Sequence, residues 1–170
     1  MTGGNMYEWV GYTWNPLAGE CPHDCEYCYV KSLVKRYPSL RKKYTGPLRI
    51  DEKALNQKLP KNRLIFVCSM NDLFADDVPD EYIKAILEKA NEQALGRKFL
   101  FQTKNPLRMW EYIGLFPENS IFATTLETNR DIVRTKADPP HARAIQFLKF
   151  KDDIMEESLT HVYEITIEPI

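Results

Sequence analysis

Short runs rich in apolar residues alternate along this chain with segments of helical spacing, and that alternation limits the fold more than any other feature. The runs are RLIFVCS (63–69), KFLFQTK (98–104), SIFATTLE (120–127) and HVYEITIE (161–168), with an earlier candidate in YEWVGYTW (7–14). A strand apolar on both pleat faces is buried on both, as strands of parallel sheets are. In DDVPDEYIKAILEKANEQALG, Tyr82, Ile83, Ile86, Leu87, Ala90, Ala94 and Leu95 share one helical face, with Pro79 near the start and Gly96 as the stop. NPLRMWEYI opens with Asn105 as an N-cap and Pro106 in the first turn. A short polar helix is expected around residues 129–135, and HARAIQFLKF, introduced by Pro139 and Pro140, reads as another helix. Strands joined through helices pair in parallel by right-handed crossovers, so the class is α/β. Five strands are too few for a closed eight-stranded barrel. An open or partial (β/α) barrel fits, and a doubly wound sheet stays open because strand order is not written in the sequence.

One domain over residues 1–170 is expected, since 44% hydrophobic residues supply a core and neither repeats nor low-complexity linkers divide the chain. A formal charge of -1 excludes polyanion binding over the whole surface, though not at a local patch. The start, MTGGNMYEWV, has neither a basic segment nor an apolar run, and no stretch reaches the apolar length of a membrane span. Four cysteines so unevenly placed do not form an extracellular disulfide scaffold. The expectation is a cytoplasmic protein with reduced thiols, away from membranes.

Each apolar run ends in polar residues. RLIFV leads into Cys68, Ser69, Asn71 and Asp72; KFLF into Gln102, Thr103 and Lys104; SIFAT into Thr125, Glu127 and Asn129; YEITI into Glu168. In parallel α/β folds the carboxyl ends of the strands gather on one rim, where ligands bind. Any one cluster also reads as a helix cap or solvated turn. Four on one rim predict a site.

ECPHDCEYCYV (20–30) adds three thiols, Cys21, Cys25 and Cys28, directly after the first strand. Three thiols cannot all pair as disulfides. Zinc is one ligand for them, with His23 as a fourth donor, although zinc sites usually present two separated pairs. An iron–sulfur cluster is the other. Three thiolates on a four-iron cube leave one iron open, as catalysis requires.

Cys21-Pro22-His23-Asp24-Cys25-Glu26-Tyr27-Cys28 matches the C-x3-C-x-aromatic-C signature of the radical S-adenosylmethionine enzymes. TWNPLAGEC, SMNDLF, TKNP, the TLETN stretch and the terminal TIEPI resemble a small branch of that superfamily in phages, bacteria and archaea, and more distantly spore photoproduct lyase. The resemblance implies a partial (β/α) barrel and a [4Fe-4S] cluster on Cys21, Cys25 and Cys28. Its open iron would be chelated by S-adenosylmethionine, which is cleaved reductively to methionine and a 5′-deoxyadenosyl radical. It further implies Tyr27 near the adenine, Ser69, Asn71 and Asp72 at the cofactor's amino group, Lys104 at its carboxylate, and Thr103 among the cofactor-binding residues. Thr125 and Glu127 would meet the ribose hydroxyls, and Glu168 would lie on the same rim. A Gly-Gly-Glu stretch common in relatives is absent. Cys68 reads as a small buried hydrophobe, with a hydrogen-donor or radical-quenching role as the alternative.

The superfamily core has six strands and this chain stops after five, so it is expected to be minimal, truncated or completed by a partner at the last strand. A reductant such as flavodoxin or ferredoxin is implied. KSLVKRYPSLRKKY, with Lys31, Lys35, Arg36, Arg41, Lys42 and Lys43 interleaved with Tyr37 and Tyr44, is either a solvated helix face and loop or a contact for a nucleic-acid substrate. Two rival readings accompany the enzyme: a zinc-binding module without catalysis, and a cluster carrier that needs a partner.

Overall fold

The computed structural model describes residues 7–118, 120–127, 134–156 and 162–167, with backbone alone from residue 150 onward. In chain order the strands are β1 (Tyr12–Trp14), β2 (Leu17–Ala18), β3 (Arg49–Ile50), β4 (Leu64–Val67), β5 (Lys98–Thr103), β6 (Ile121–Leu126) and β7 (Val162–Ile167). The helices are α1 (Tyr29–Arg36), α2 (Pro38–Tyr44), α3 (Glu52–Leu55), α4 (Asp80–Glu92), α5 (Pro106–Trp110) and α6 (Pro140–Glu156), and a 3-10 turn spans Ile113–Leu115.

Five strands form one sheet in the order β1-β4-β5-β6-β7, every neighbouring pair parallel. The α/β expectation holds, and the strands lie side by side in the order the chain makes them. Nowhere among the described strands does that order reverse, as a doubly wound sheet would require. β2 and β3 make a separate antiparallel ribbon that the sequence reading missed, because two-residue strands leave no periodicity to detect.

The first strand is shorter than expected. Of YEWVGYTW only Tyr12–Trp14 pairs, preceded by the Gly11 N–H bonding to the Leu64 carbonyl at 3.1 Å. Upstream of Leu64 the partner chain turns away at Asn62, whose φ is 56°, so earlier residues have no ladder to join. The expected polar helix at 129–135 lies largely outside the described residues, and Arg134 and Thr135 are not helical.

The side chains of each run alternate between two environments. Ile65, Val67, Phe99, Phe101 and Phe122 face the main core, where Ile83, Ile86 and Leu87 of α4, Met109 of α5 and Phe147 of α6 cover them. Phe116 joins the layers edge-on, 4.8 Å from Phe101 and 4.7 Å from Phe122 between ring centres. Burying each such side chain contributes about 1.5–3 kcal/mol. Phe66, Leu100 and Ala123 point the other way, into a smaller cluster with Val10. Helices therefore close one face of the sheet, and the opposite face looks into the cavity described next.

α4 starts after Pro79 with Asp80 and Glu81 in its first turn, as the dipole favours. In α5 the Asn105 side chain accepts from the Arg108 N–H at 3.2 Å, the expected cap.

Candidate active site at the carboxyl ends of the strands

After β1 the chain passes through the β2–β3 ribbon, which aims the cysteine segment over the rim. Gly19 makes the turn with φ of 100°, where an added Cβ would lie 2.4 Å from the Pro47 carbonyl oxygen. Its N–H bonds to the Lys43 carbonyl at 2.9 Å and the Glu20 N–H to Gly46 at 2.9 Å, tying the segment's entry to α2. Two tight turns follow: the Asp24 N–H reaches the Cys21 carbonyl at 3.3 Å, and the Cys28 N–H reaches Cys25 at 3.2 Å. α1 then begins at once.

Asp72, just past β4, clamps the segment to the rim. His23 Nε2 lies 2.8 Å from its Oδ2, which also accepts the Lys104 N–H at 2.7 Å. Its Oδ1 accepts from Thr103 Oγ1 at 2.7 Å and from the Phe74 N–H at 3.0 Å. Burial alone would raise this carboxyl, but His23 and the surrounding donors outweigh that and hold it below its ordinary value. From the other side the Lys136 N–H donates to the His23 carbonyl at 2.8 Å, and the Glu26 N–H donates to the Arg134 carbonyl at 3.0 Å.

A second clamp is built on Glu127 at the end of β6. Arg143 of α6, fully buried, donates from one nitrogen to Glu127 Oε2 at 2.5 Å and from the other to the Thr125 carbonyl. Lys104 Nζ reaches Glu127 Oε1 at 2.8 Å, and the Tyr27 hydroxyl donates to the same oxygen. The Lys104 ammonium also lies 5.4 Å from the Tyr27 ring centre. Burial would raise the Glu127 carboxyl, yet Arg143, Lys104 and Tyr27 together hold it at about 2. Two cations share one carboxylate, so this wall keeps a positive surplus. Burial, then the hydrogen bond to Glu127, pushes the Tyr27 phenol far up, so it stays protonated.

Between the clamps lies a cavity of about 420 Å³. Cys21, Cys25 and Cys28 all line it, together with Tyr27. So do Ser69, Asn71 and Asp72 from the end of β4, Thr103 and Lys104 from β5, and Thr125 from β6. Glu127 stands behind Lys104 and Tyr27 rather than on the surface of the cavity, with no exposed side-chain area. Glu168 lies outside the described residues. Within the group, Asp72 and Thr103 are bonded to each other and to backbone, so they shape the rim from inside it. Asn71 donates to the Leu17 and Gly19 carbonyls at 3.4 and 3.2 Å, and Ser69 Oγ donates to Asn15 Oδ1 at 3.2 Å.

All four cysteines are free. Cys21 is pushed up to about 12, by burial first and then by the Asp72 charge. Cys25 Sγ is 3.2 Å from Thr135 Oγ1. Cys68 also borders the cavity, but it is packed in the main core beside Trp14 and Leu17, and burial pushes its thiol up to about 12. Its φ of 56° turns the chain sharply out of β4.

Among the described residues no three His, Cys, Asp or Glu side chains are gathered as a single metal ion would need. His23, the fourth donor of the zinc reading, directs Nε2 at Asp72 instead.

Sequence reasoning missed Arg143. Its only trace is an arginine flanked by alanines where the apolar face of α6 begins. It also missed Tyr7 as a lining residue, whose hydroxyl donates at 3.0 Å to Oε1 of Gln102, itself expected on the rim and found there. The basic segment forms the two helices α1 and α2. Its charges are partly spent locally: Lys31 pairs with Asp24 at 2.6 Å, Lys43 pairs with Asp51 at 2.6 Å, and Arg41 bonds the Val34 and Lys35 carbonyls. No described helix is long and apolar enough to cross a membrane.

Among curated proteins the chain is similar to the uncharacterized protein ORF301 of Acidianus two-tailed virus, at 28% identity, with 78% of this chain and 49% of that protein covered. The chain thus spans about half the length of the viral relative it matches. No solved structure matches it. The family described as "Protein of unknown function (DUF5131)" matches residues 5–156, and the chain belongs to that family.

Proposed function

We propose that this chain is the core of a radical S-adenosylmethionine enzyme, in which Cys21, Cys25 and Cys28 hold a [4Fe-4S] cluster. One observation carries the reading. The three thiols of the C-x3-C-x2-C segment line the same cavity as the polar residues at the ends of β4, β5 and β6. The consecutive, all-parallel strand order suits the partial (β/α) barrel of that superfamily.

When bound, the cluster and cofactor would supply the electron and the sulfonium whose cleavage starts radical chemistry. The chain's own residues bind and orient. The positive surplus of Lys104 and Arg143 over Glu127 attracts the cofactor's carboxylate to Lys104, a point charge on the cavity wall. Ser69 and Asn71 stand where its amino group would lie, and Thr125 offers a hydroxyl to the ribose. Tyr27 presents its ring to the adenine, held in place by its hydroxyl on Glu127. Asp72 and Glu127 act indirectly, by fixing His23 and Tyr27 within the cysteine segment. Cys68, kept as a neutral thiol on the cavity border, retains a hydrogen atom it can donate. A reductant of the flavodoxin or ferredoxin kind would deliver the electron. A partner pairing with β7, which bonds only β6 among the described strands, would complete the rim.

The test is anaerobic reconstitution with iron and sulfide, reduction in the presence of S-adenosylmethionine, and assay of 5′-deoxyadenosine. About four irons per chain and slow cleavage are expected, both abolished by Cys25→Ala. Colourless protein with stoichiometric zinc would establish the zinc-module reading instead, and a cluster without cleavage would establish the partner-dependent carrier.

A further inference from the structure

Phe66, Tyr7 and Trp9 form a ladder of nearly parallel rings on the open face of the sheet. Tyr7 stacks on Phe66 at 6.0 Å and 21°, and Trp9 stacks on Tyr7 at 5.2 Å and 14°, both within the range of offset aromatic pairs. The ladder climbs from floor to solvent: Phe66 is 3% exposed, Tyr7 half-buried and Trp9 47% exposed. A single tyrosine would suffice to cover Phe66. The tryptophan beyond it adds a large flat surface left half in water.

Two of the three rings belong to the cavity, and Trp9 extends the stack beyond its lining. Phe66 and Tyr7 line it with the three thiols. The Tyr7 hydroxyl is anchored on Gln102, which in turn donates to Thr125 Oγ1 at 2.6 Å, so the ring is held at a fixed tilt. The start of α1 borders the same cavity, through Tyr29 and Val30. From there the chain runs through seven Lys and Arg and no Asp or Glu between residues 29 and 50, in a protein of net charge -1. A stacking surface joined through one cavity to the start of a basic segment suits a ligand that is planar at one end and anionic at the other.

We infer that the Trp9 face is a subsite for a nucleobase carried on phosphate, as a nucleotide or within a single strand. Stacking is indifferent to base identity because every base has a π-face, and phosphates would meet the basic helices α1 and α2. Inside a duplex both faces of a base are already covered by stacking, so an unstacked base, of a nucleotide or a single strand, is the one free to extend the ladder. This deepens the proposed function by naming its substrate class, and it rests on that reading only for the chemistry that follows binding.

The test uses the full chain, purified without oxygen, and two pyrimidine probes that avoid the proposed adenine site. Cytidine monophosphate is followed by equilibrium dialysis, and a labelled oligodeoxycytidylate of about ten nucleotides by fluorescence anisotropy. Saturable binding of either probe by wild type is expected. Trp9→Ala should weaken it about 5- to 100-fold, and Trp9→Phe, which keeps a ring, should stay within about fivefold of wild type. Trp9→Leu keeps apolar bulk without a π-face and should bind as weakly as Trp9→Ala. Binding of the mononucleotide alone assigns the site to free nucleotides. Binding of the oligomer alone, falling steeply with salt, assigns it to a single strand. No saturable binding of either probe, or variants Trp9→Ala and Trp9→Leu that bind like wild type, overturns the inference. Neither readout involves iron or S-adenosylmethionine, so a failed cleavage assay leaves base binding standing, and absent base binding leaves the radical reading standing.

Discussion

Arg143 of α6 lies 2.5 Å from Glu127 at the end of β6, and neither side chain has any exposed area. The pair joins the outer helix layer to the rim of the cavity, and through the Tyr27 hydroxyl on Glu127 it reaches the cysteine segment. A contact that connects three layers of the fold transmits any loss of one partner to the site.

Removing the arginine leaves Glu127 buried with Lys104 as its remaining cation. Arg143→Ala should lower unfolding stability by about 3–5 kcal/mol, read as a shift of the urea midpoint at unchanged slope.

The same carboxylate makes stability acid-sensitive. Glu127 is held at about 2 against an ordinary 4.5, so the folded state favours its charged form. Its contribution is complete above pH 4.5 and is lost as pH falls toward 2. Wild-type stability should drop over that window, and Glu127→Gln, already without the charge, should show a shallower drop.

Asp72 holds four donors from three parts of the chain. Asp72→Asn should cost about 1–3 kcal/mol and loosen the His23 attachment. Faster amide hydrogen exchange over residues 20–28, measured by mass spectrometry on the folded protein, would report that loosening. Unchanged kinetics would mean that the segment is held from the Arg134–Lys136 side alone.

Gly19 turns the chain into the cysteine segment at a backbone angle that costs any other residue strain, with Pro47 where a side chain would go. Gly19→Ala should destabilise by about 2 kcal/mol or more and reduce iron incorporation, although it removes no ligand.

Cys68 and Cys28 border one cavity but sit in different surroundings, the first in the core and the second partly exposed. Cys68→Ala should keep iron content near that of wild type, whereas Cys28→Ala should abolish it. Equal loss in both, determined by iron and sulfide analysis, would make Cys68 a fourth ligand and close the open iron.

Much of the architecture was legible in one dimension because burial on both faces and helical spacing are local patterns. The runs ending at Val67, Thr103 and Leu126 each became a parallel strand within a residue or two of the expected bounds. The gathering of Cys21, Ser69, Lys104 and Thr125 on one cavity followed from placing all carboxyl ends on one rim. The short elements β2, β3 and α3 were not legible, since two to four residues carry too little periodicity.

By itself, the sequence determined the α/β class, the helix boundaries set by Asn105, Pro106 and Pro79, and the crowding of three thiols into eight positions, all consequences of neighbouring residues and their spacing. Only the tertiary structure decided strand order, which face of the sheet stayed open, and which partners the charged residues took. Glu127 looked like a ligand contact and became the seat of Arg143 and Lys104; His23 looked like a metal donor and became the partner of Asp72. Such pairings depend on which groups are excluded from water together, and that is settled only when distant segments pack.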